Sequence, residues 1–346
     1  MSDLHIKIIF SDYETDSFYQ KIQQIKSHVG DIYIWEDAHP WLNHTNGITM
    51  LKNIRSSTNN KLYLVCRGNN GLPTDYLGFD VIDFTWQIID FTRLHDLFSQ
   101  KYLTHPGNSR NSFLFLTGKP LGYHRVGLLY KIWKHDLIAQ CQYSFFGNTD
   151  EFRDSCSKYI DTKDQWTFFN EVKNQSPDRI SVEHSGHQSL HYPGIPYDTC
   201  LYEQSQFSVI SETYDWRGPP YHPTEKIWRS ILNCHPFLLA GQPGMVDYLE
   251  SLGFDCYLSH IKKNYLTDSN KWTHSDNEQT IENIMHWLTM ADKDWTAVKK
   301  IAIENQKIYF RHLQKTKNVL EKILNTTNDI KIKKHIHDMA WEDTSP

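Results

Sequence analysis

The segment from Phe207 to Tyr257 constrains the fold more than any other part of this chain. Two short apolar runs, Phe207–Ser211 and Pro236–Ala240, are each followed by a polar turn and then by a helical pattern. Apolar runs of this length, rich in branched and aromatic residues, predict buried strands. Strands that alternate with helices predict a βαβ unit, in which the strands are parallel and their carboxyl ends meet at one edge of the sheet.

The same alternation extends through the rest of the chain. Further strands are predicted at Ile6–Phe10, Ile32–Trp35, Leu62–Cys66, Val81–Phe84, Phe113–Thr117 and Gln142–Phe146. Further helices are predicted near Ser17–Val29, Trp86–Ser99, His124–His135, Trp166–Lys173, Asn277–Ala291 and Trp295–Leu324. This pattern predicts an α/β protein with two Rossmann-like domains that face a cleft, and with a long amphipathic C-terminal helix that closes the fold.

Chain length and one linker-like stretch predict the domain organisation. At 346 residues the chain exceeds the size at which a single core stops growing, about 250–300 residues. The stretch Leu103–Asn111 is rich in Pro, Gly and Asn, a composition typical of linkers. We therefore expect a first domain over residues 1–105, a second over residues 110–324 and a loosely held tail over residues 325–346.

Charge, cysteines and hydropathy narrow the range of functions. The formal net charge of -5 disfavours a protein that binds a nucleic-acid backbone through a broadly basic face. The cysteines are scattered without a CxxC spacing, which predicts reduced thiols and no structural zinc. The first residues lack a signal-peptide pattern, and no window approaches the roughly 20 apolar residues that span a bilayer. We expect a cytoplasmic protein without a membrane span.

Polar residues gather where the first strand of the opening segment ends. Glu212 follows this strand directly, and Thr224, Glu225 and Lys226 begin the next helix. Thr is a favoured N-cap, and a helix N-terminus presents free N–H groups to an anion such as phosphate. Lys226 adds a positive charge there, and Glu225 can accept hydrogen bonds from the vicinal hydroxyls of a ribose. An ordinary capped helix with an acid in its first turn shows the same tripeptide, so both interpretations stay open.

A second basic group follows the predicted strand Phe113–Thr117. Lys119, His124 and Arg125 lie in or just after a glycine-containing loop that leads into a helix. Such a helix start is typical of phosphate-binding loops. Arg suits a phosphate whose charge grows as a bond breaks, because its guanidinium donates two parallel hydrogen bonds. The same sequence is also compatible with a purely structural interpretation, in which Gly122 forms a turn and Arg125 lies on the surface of a helix. Both interpretations stay open.

The Phe207–Tyr257 segment resembles the donor-binding motif of the fucosyltransferase-like glycosyltransferases, which have the GT-B fold. Ser211-Glu212 and Thr224-Glu225-Lys226 carry the likeness, which is close in this segment and holds only in outline elsewhere. Residues 118–125 look like a segment found upstream of this motif in glycosyltransferase-like proteins of viruses and bacteria. The chain departs from the family at Thr213, where Asn often follows the glutamate, and in the longer, proline-rich loop Tyr214–His222.

The resemblance implies a metal-independent glycosyltransferase, a hexosyl- or pentosyltransferase. A nucleoside-diphosphate-sugar would be its co-substrate, with no cofactor and no metal. The resemblance implies that Glu225 holds the ribose, that Lys226 contacts the phosphates, and that Glu212 lies near the sugar or shapes the pocket. Arg125 would neutralise the diphosphate leaving group, with Lys119 or His124 assisting.

The first domain offers several candidates for the base that takes the proton of an acceptor hydroxyl. Glu36, Asp37 and His39 lie at or just after the end of a predicted strand, and Asp12 follows the first strand. A carboxylate or imidazole in a cleft loop can act as a base when its pKa is close to neutrality. Three more loop acids of this domain would serve equally: Asp75, Asp80 and Asp83.

The acceptor and the activity itself leave alternatives open. The likeness to viral sequences admits a hydroxymethylated DNA base as acceptor, presented or flipped out of the duplex in a host cytoplasm. A surface glycan or a lipid-linked sugar fits the composition equally well. A protein that senses a nucleotide-sugar without turning it over would carry the same motif. A dinucleotide oxidoreductase is disfavoured, because neither half has GxGxxG after its first strand. The sequence does not define the oligomeric state.

Two patterns that suggest metal ions have simpler interpretations. Asp292-Lys293-Asp294 spells a DxD pattern but falls between two predicted helices, so we expect a turn and a helix cap. His184, His187 and His191 fall in one loop with Gly and Pro and without a cluster of Cys or acidic residues. We therefore expect no metal site there.

Overall fold

Parallel strands form two separate sheets in this protein. The structure is a computed structural model that describes residues 4–8, 16–36, 45–66, 75–83, 103–104, 112–117, 122–144, 149–175, 199–212, 221, 223–241, 244–256, 274–290 and 293–326. The chain divides into two compact units. The first comprises Met1–Arg93, Pro219–His222 and Tyr309–Pro346, and the second comprises Leu94–Gly218 and Pro223–Ile308.

The first unit contains a five-stranded sheet with the order β1-β2-β3-β5-β4. Its strands are β1 (Leu4–Ile8), β2 (Ile32–Glu36), β3 (Leu62–Cys66), β4 (Asp75–Tyr76) and β5 (Phe79–Asp83), and its helices are α1 (Asp16–Ser27) and α2 (Thr45–Ser56). Neighbouring strands are parallel except for β4 and β5, which form a hairpin. The predicted strands β2 and β3 and the helix α1 are confirmed, whereas α2 has no counterpart in the sequence analysis.

Alternate residues of the first sheet and one face of each helix form an apolar core. Ile32 and Ile34 of β2 pack in the same cluster as Ile22 of α1 and Met50 of α2. Strand residues two apart share one face of a sheet, and helix residues three or four apart share one face of a helix, which is why these residues meet. The predicted helix Ser17–Val29 extended to Val29, but this residue lies beyond the end of α1 and is 65% exposed.

The second unit contains a four-stranded sheet in which all neighbouring strands are parallel. Its strands are β6 (Phe113–Leu116), β7 (Cys141–Ser144), β8 (Phe207–Ser211) and β9 (Phe237–Ala240). Its helices are α3 (Tyr123–Lys134), α4 (Thr149–Tyr159), α5 (Thr162–Gln175), α6 (Thr199–Glu203), α7 (Glu225–Leu232), α8 (Met245–Ser251), α9 (His274–Thr289) and the first part of α10 (Trp295–Thr326). The predicted βαβ pattern is confirmed, and the region between β7 and β8, for which one helix was predicted, contains α4, α5 and α6.

The strand order of the second sheet, β7-β6-β8-β9, reverses between β6 and β8. Chain connections between parallel strands are right-handed, so a reversal places the helices that follow the two strands on opposite faces of the sheet. Side chains of β8 agree with this. The Phe207 ring lies 4.9 Å from the Trp287 ring of α9, while Ser208 faces a cavity shared with α7.

The central strand pair is also the least completely paired. β6 and β8 pair only at Phe113↔Phe207 and Leu114↔Ser208. The outer pairs each continue over four residues. The ladder between β6 and β8 therefore ends before the carboxyl ends of the two strands. In open parallel sheets this point, outside the carboxyl ends at a reversal of strand order, is where ligands bind.

The α/β class, the parallel sheets and a long C-terminal helix are thus confirmed. The GT-B arrangement of two domains and the domain boundaries stay predictions. Among the described helices, none has the length and apolar character needed to cross a bilayer.

Candidate functional site

Five of the residues singled out in the sequence come together at the reversal point of the second sheet. His124 and Arg125 lie in the first turn of α3, Glu212 follows β8, and Thr224 and Lys226 lie at the start of α7. All five are buried, between 1% and 7% exposed. The start of α3 therefore meets the end of β8 and the start of α7, which are remote from it in sequence, as expected for the carboxyl edge of a parallel sheet.

The Glu212 carboxylate holds the start of α7. Its Oε1 accepts a hydrogen bond of 2.9 Å from the backbone N–H of Thr224, and its Oε2 accepts one from the Thr224 hydroxyl. Glu212 is 1% exposed, and each of its carboxylate oxygens has a partner on Thr224. Of the two roles implied by the resemblance, contact with the sugar or shaping of the pocket, this geometry favours the second.

Thr224 is the N-cap of α7, as the sequence predicted. Its Oγ1 accepts from the backbone N–H of Lys226 at 3.5 Å and from the Lys226 ammonium at 3.1 Å, while its own proton goes to Glu212. The ammonium also lies 4.0 Å from Glu212 Oε2. A charge pair in a poorly solvated place interacts more strongly than one in water, so the three side chains hold one another in a defined geometry.

His124 and Arg125 bind the backbone of Glu212. The carbonyl oxygen of Glu212 accepts from Arg125 Nε at 3.3 Å and Nη2 at 3.0 Å, and it lies 2.9 Å from His124 Nε2. A carbonyl oxygen can only accept, so His124 carries a proton on Nε2. In return, Ser211 Oγ donates to the carbonyl of His124 at 3.2 Å. The start of α3 is thereby attached to the end of β8.

Two glycines make this close approach possible. Gly122 precedes α3 with φ of 88°, and a Cβ there would lie 2.8 Å from Cε1 of His124. Gly241 follows β9, and a Cβ there would lie 3.3 Å from Cβ and Cγ of Glu212. A side chain at Gly122 would displace the imidazole, and the left-handed backbone at this position also favours glycine.

Positive charge dominates the buried part of this site. Arg125, Lys226 and Arg229 are all buried, and Glu212 is the one carboxylate that is buried among the residues the structure describes. The N-terminus of α7 adds positive potential. The arrangement is therefore suited to hold an anion.

A buried histidine organises the strands next to the site. His235 Nε2 lies 3.1 Å from the carbonyl oxygen of Ser205, which can only accept, so Nε2 is protonated and Nδ1 accepts from Ser208 Oγ at 2.8 Å. Burial lowers the pKa of His235 to about 4, against the opposing effect of the hydrogen bond to Ser205. The imidazole is therefore uncharged at neutral pH. It links the residue pair before β9 to Ser208 of β8 and to Ser205, which precedes β8.

Several other predicted site residues cannot be placed in this geometry. Asp12, Asp37, His39 and Lys119 lie outside the described residues. Glu36 ends β2 and Glu225 begins α7, but their side chains also lie outside the described part. The roles of all six stay predictions.

Two of the three remaining loop acids of the first unit, Asp75 and Asp80, have structural partners near the amino end of β5. Asp75 Oδ1 accepts from the backbone N–H of Gly78 at 3.2 Å in the β4–β5 turn. Asp80 Oδ2 lies 2.9 Å from the Lys61 ammonium, and both side chains are more than half exposed. The side chain of Asp83 lies outside the described residues. Asp75 and Asp80 thus lie away from the carboxyl edge of their sheet.

Of the two sequence patterns that suggest metal ions, the structure describes part of one and none of the other. Asp294 directly precedes α10, and its Oδ1 accepts from the backbone N–H of Ala297 at 3.0 Å, so the predicted helix cap is confirmed. His184, His187 and His191 lie outside the described residues. Elsewhere, in the ranges that the structure describes, no three His, Cys, Asp or Glu side chains are grouped so that they could hold a metal ion.

Arg229 was not singled out from the sequence. It lies three residues after Lys226, and residues at this spacing share one face of a helix. Both side chains line the same cavity beneath α7. The spacing was therefore the available signal, but it shows a shared face without showing that this face is buried.

Comparison with family models, with curated proteins and with solved structures found no match for this chain. The likeness to fucosyltransferase-like enzymes accordingly stays a hypothesis carried by the motif residues.

Proposed function

We propose that the second unit binds a nucleoside-diphosphate-sugar outside the carboxyl ends of β6 and β8, and that the protein transfers the sugar to an acceptor hydroxyl. One observation supports this more than any other. Arg125 and Lys226 are buried beside the N-terminus of α7, at the point where the strand order reverses. The residue types of the likeness thus coincide with the position at which an α/β sheet binds ligands.

The fixed position of the cations supports transfer as well as binding. When the bond between the anomeric carbon and the diphosphate oxygen breaks, negative charge grows on the leaving phosphate. Arg125 is held by the carbonyl of Glu212, and Lys226 is held by Thr224. Cations that are oriented before the reaction stabilise this charge without reorganisation, which supports a metal-independent mechanism.

In the proposed reaction, the acceptor oxygen forms a bond to the anomeric carbon as the diphosphate departs with the electron pair. The acceptor proton goes to a base or to the leaving phosphate. Asp12, Glu36 and Asp37 stay the candidates for the base. A glycan hydroxyl and a hydroxymethylated DNA base both stay candidate acceptors.

Donor binding can be tested by titration calorimetry with a panel of nucleoside diphosphates. We expect Lys226→Met to weaken binding of the preferred nucleotide by about tenfold to a hundredfold, because a charge-assisted contact to phosphate is lost. Glu225→Ala should also weaken binding, through the ribose. Lys307→Met is the matched control, since Lys307 is an exposed lysine of α10 in the same unit. Circular dichroism confirms folding, and unchanged affinity in folded Lys226→Met would sink the site assignment.

A second assay separates an enzyme from a sensor. Glycosyltransferases release nucleoside diphosphate slowly by transfer to water, so we expect measurable release from the preferred donor without acceptor. Tight donor binding with no release, either alone or with glycan and DNA acceptors, would favour a nucleotide-sugar sensor.

A further inference from the structure

Thr117, which directly follows β6, has a buried hydroxyl group at the reversal point of the second sheet. The side chain is 0% exposed, and its Oγ1 has no hydrogen-bond partner in the part of the chain that the structure describes. Most buried hydroxyls in folded proteins have a partner, because a hydroxyl that leaves water loses hydrogen bonds that the protein must replace. An exception at the edge of the sheet where ligands bind is therefore a candidate ligand contact.

The side chain of Thr117 lies on the face of the sheet that α3 covers. Successive residues of a strand point to opposite faces, so Thr117 shares its face with Phe113, four residues earlier. The Phe113 ring stacks on the Phe207 ring at 5.2 Å, and the Phe207 ring lies 4.9 Å from that of Trp287 in α9. An ion pair of 2.6 Å joins α9 to α3, so both helices cover this face.

Ser211 shows that the first turn of α3 reaches this part of the sheet. Its Oγ donates to the carbonyl oxygen of His124 at 3.2 Å. Counted from the pair Phe113↔Phe207, Thr117 and Ser211 are both four residues further along the chain. The two hydroxyls therefore lie at the carboxyl ends of neighbouring strands and face the start of α3. The protein supplies a partner for Ser211 and, among the described residues, none for Thr117.

The start of α3 also differs from the start of α7 in its cap. Thr224 caps α7 with its side chain and is bound to the carboxylate of Glu212, so the protein itself places a negative charge there. Gly122 is the N-cap of α3 and has no side chain that could accept a hydrogen bond. The N–H groups and the dipole of a helix start favour an anion. An anion from outside the chain therefore fits the start of α3 better than that of α7.

We propose that the Thr117 hydroxyl donates a hydrogen bond to a phosphate oxygen of the donor diphosphate, and that this phosphate is bound at the N-terminus of α3. The inference deepens the proposed function and rests on it, since the donor is the one proposed there. Positive charge comes from Arg125, in the first turn of α3. The phosphate is the partner of Thr117, so the hydroxyl costs stability in the nucleotide-free protein and adds affinity for the ligand.

Thr117→Val removes the hydroxyl and keeps the branched shape of the side chain, so it separates these two effects. Inorganic pyrophosphate is the probe, because it is a diphosphate without nucleoside or sugar. We expect titration calorimetry to show pyrophosphate binding weakened about tenfold in Thr117→Val, because a hydrogen bond to a charged oxygen is lost. The melting temperature without ligand should stay the same or rise by about 2–4 °C, because an unpartnered buried hydroxyl is removed.

Thr280→Val is the matched control. Thr280 of α9 is 3% exposed, and its Oγ1 likewise has no partner within the described ranges. Two residues later, Glu282 pairs with Lys131, so this part of α9 lies beside the third turn of α3 and not beside its start. Thr280→Val should change the melting temperature in the same direction and leave the pyrophosphate affinity unchanged. Thr117→Ser, which keeps the hydroxyl, should keep most of the affinity.

Equal pyrophosphate affinity in Thr117→Val and in the unaltered protein overturns the inference, and so does an unaltered protein that binds no pyrophosphate. If Thr117→Val does not fold, a crystal structure of the unaltered protein with pyrophosphate decides. A phosphate oxygen about 3 Å from Thr117 Oγ1 is the expected result, and a phosphate bound elsewhere overturns the inference.

The proposed function fails in a different way. If pyrophosphate binds through Thr117 but the protein neither binds nor cleaves any nucleotide-sugar, the phosphate contact stands and the proposed donor does not. If Thr117→Val binds and cleaves a nucleotide-sugar as well as the unaltered protein does, the proposed function stands and the contact does not.

Discussion

The two sheets of this protein share parallel strands of similar length but differ in strand order. From β1 to β5 the parallel strands of the first sheet follow one another in a single direction, β1-β2-β3-β5, whereas the second sheet reverses between β6 and β8. A constant direction leaves consecutive loops side by side. A reversal sends two loops to opposite faces and opens a crevice between them. Strand order, and not strand composition, distinguishes the sheet at which we propose a ligand site.

The polar residues of the two units differ in the same way. Among the described residues of the first unit no charged side chain is buried, and the ion pair of Lys61 with Asp80 is solvent-exposed. The second unit buries Glu212 with Lys226 at the carboxyl edge of its sheet. Buried charges cost free energy unless they are paired and hydrogen-bonded. This pair therefore indicates that the edge of the second sheet holds its side chains in fixed positions more than it adds to stability.

The largest expected effect comes from Glu212→Ala. This change leaves Lys226 without the nearby carboxylate and removes both acceptors of Thr224, and we expect a loss of about 4 kcal/mol in the free energy of unfolding. Hydrogen–deuterium exchange should rise in peptides from β6–β9 and stay constant in peptides from β1–β3. Glu203→Ala, at an exposed position of α6, is the matched control. Equal losses in the two variants would mean that the buried carboxylate is not structural.

Ile34→Ala applies the reverse test to the first unit. Ile34 is 0% exposed in the apolar core, and its truncation should cost about 3 kcal/mol through the cavity that it leaves. In this variant, hydrogen–deuterium exchange should rise in peptides from β1–β3 and not in peptides from β6–β9. Tyr19→Ala, on the exposed side of α1, provides the control. A rise of similar size in both sheets would show that the two units unfold together. Their stabilities could then not be compared separately.

The second sheet should also respond to acid through His235. Its pKa is about 4 in the folded protein and 6.5 without structure, so between these values the unfolded chain binds a proton that the folded chain does not. Stability should therefore fall as the pH drops from 6.5 to 4, by about 3 kcal/mol in total, and this contribution should level off below pH 4. Denaturation at several pH values measures how the free energy of unfolding depends on pH. His235→Gln should make this dependence weaker between pH 4 and 6.5. An unchanged dependence in that variant would mean that other groups cause it.

The smallest effect concerns the glycine before α3. Gly122→Ala combines a left-handed backbone with a contact to His124, and we expect a cost of about 2 kcal/mol. Gly253→Ala has a similar φ of 92° with no atom within 4 Å of the added Cβ, so it should cost about 1 kcal/mol. Thermal denaturation of both variants isolates the contribution of the contact. Equal costs would mean that the His124 side chain moves aside freely.

Much of the secondary structure could be predicted from the sequence. Leu62–Cys66 and Phe207–Ser211 match β3 and β8, and Thr224 was identified as a helix cap. These features depend on neighbours within a few residues, so local patterns reveal them. The helix α2 was missed because Gly47 and several Thr and Asn residues lower its helix propensity, and packing of its apolar face compensates for this.

The candidate site could be predicted only in part, for a different reason. The charged residues at the start of α7 and after β8 were visible in the sequence. That both oxygens of Glu212 bind Thr224, that Arg125 binds the backbone of Glu212, and that Arg229 is buried were not visible. Each of these contacts joins or encloses residues from separate elements, and no local pattern reports on such distances.

Local periodicity and capping chemistry thus determined that this chain forms parallel α/β units with basic residues in the loops after two strands. Only the tertiary structure decided that β6 and β8 are neighbours across a reversal of strand order. The physical reason is that strand pairing depends on how apolar faces are covered across the whole unit, whereas helices and caps form from contacts within one or two turns. The same pairing brought charged residues from separate segments together in a buried junction.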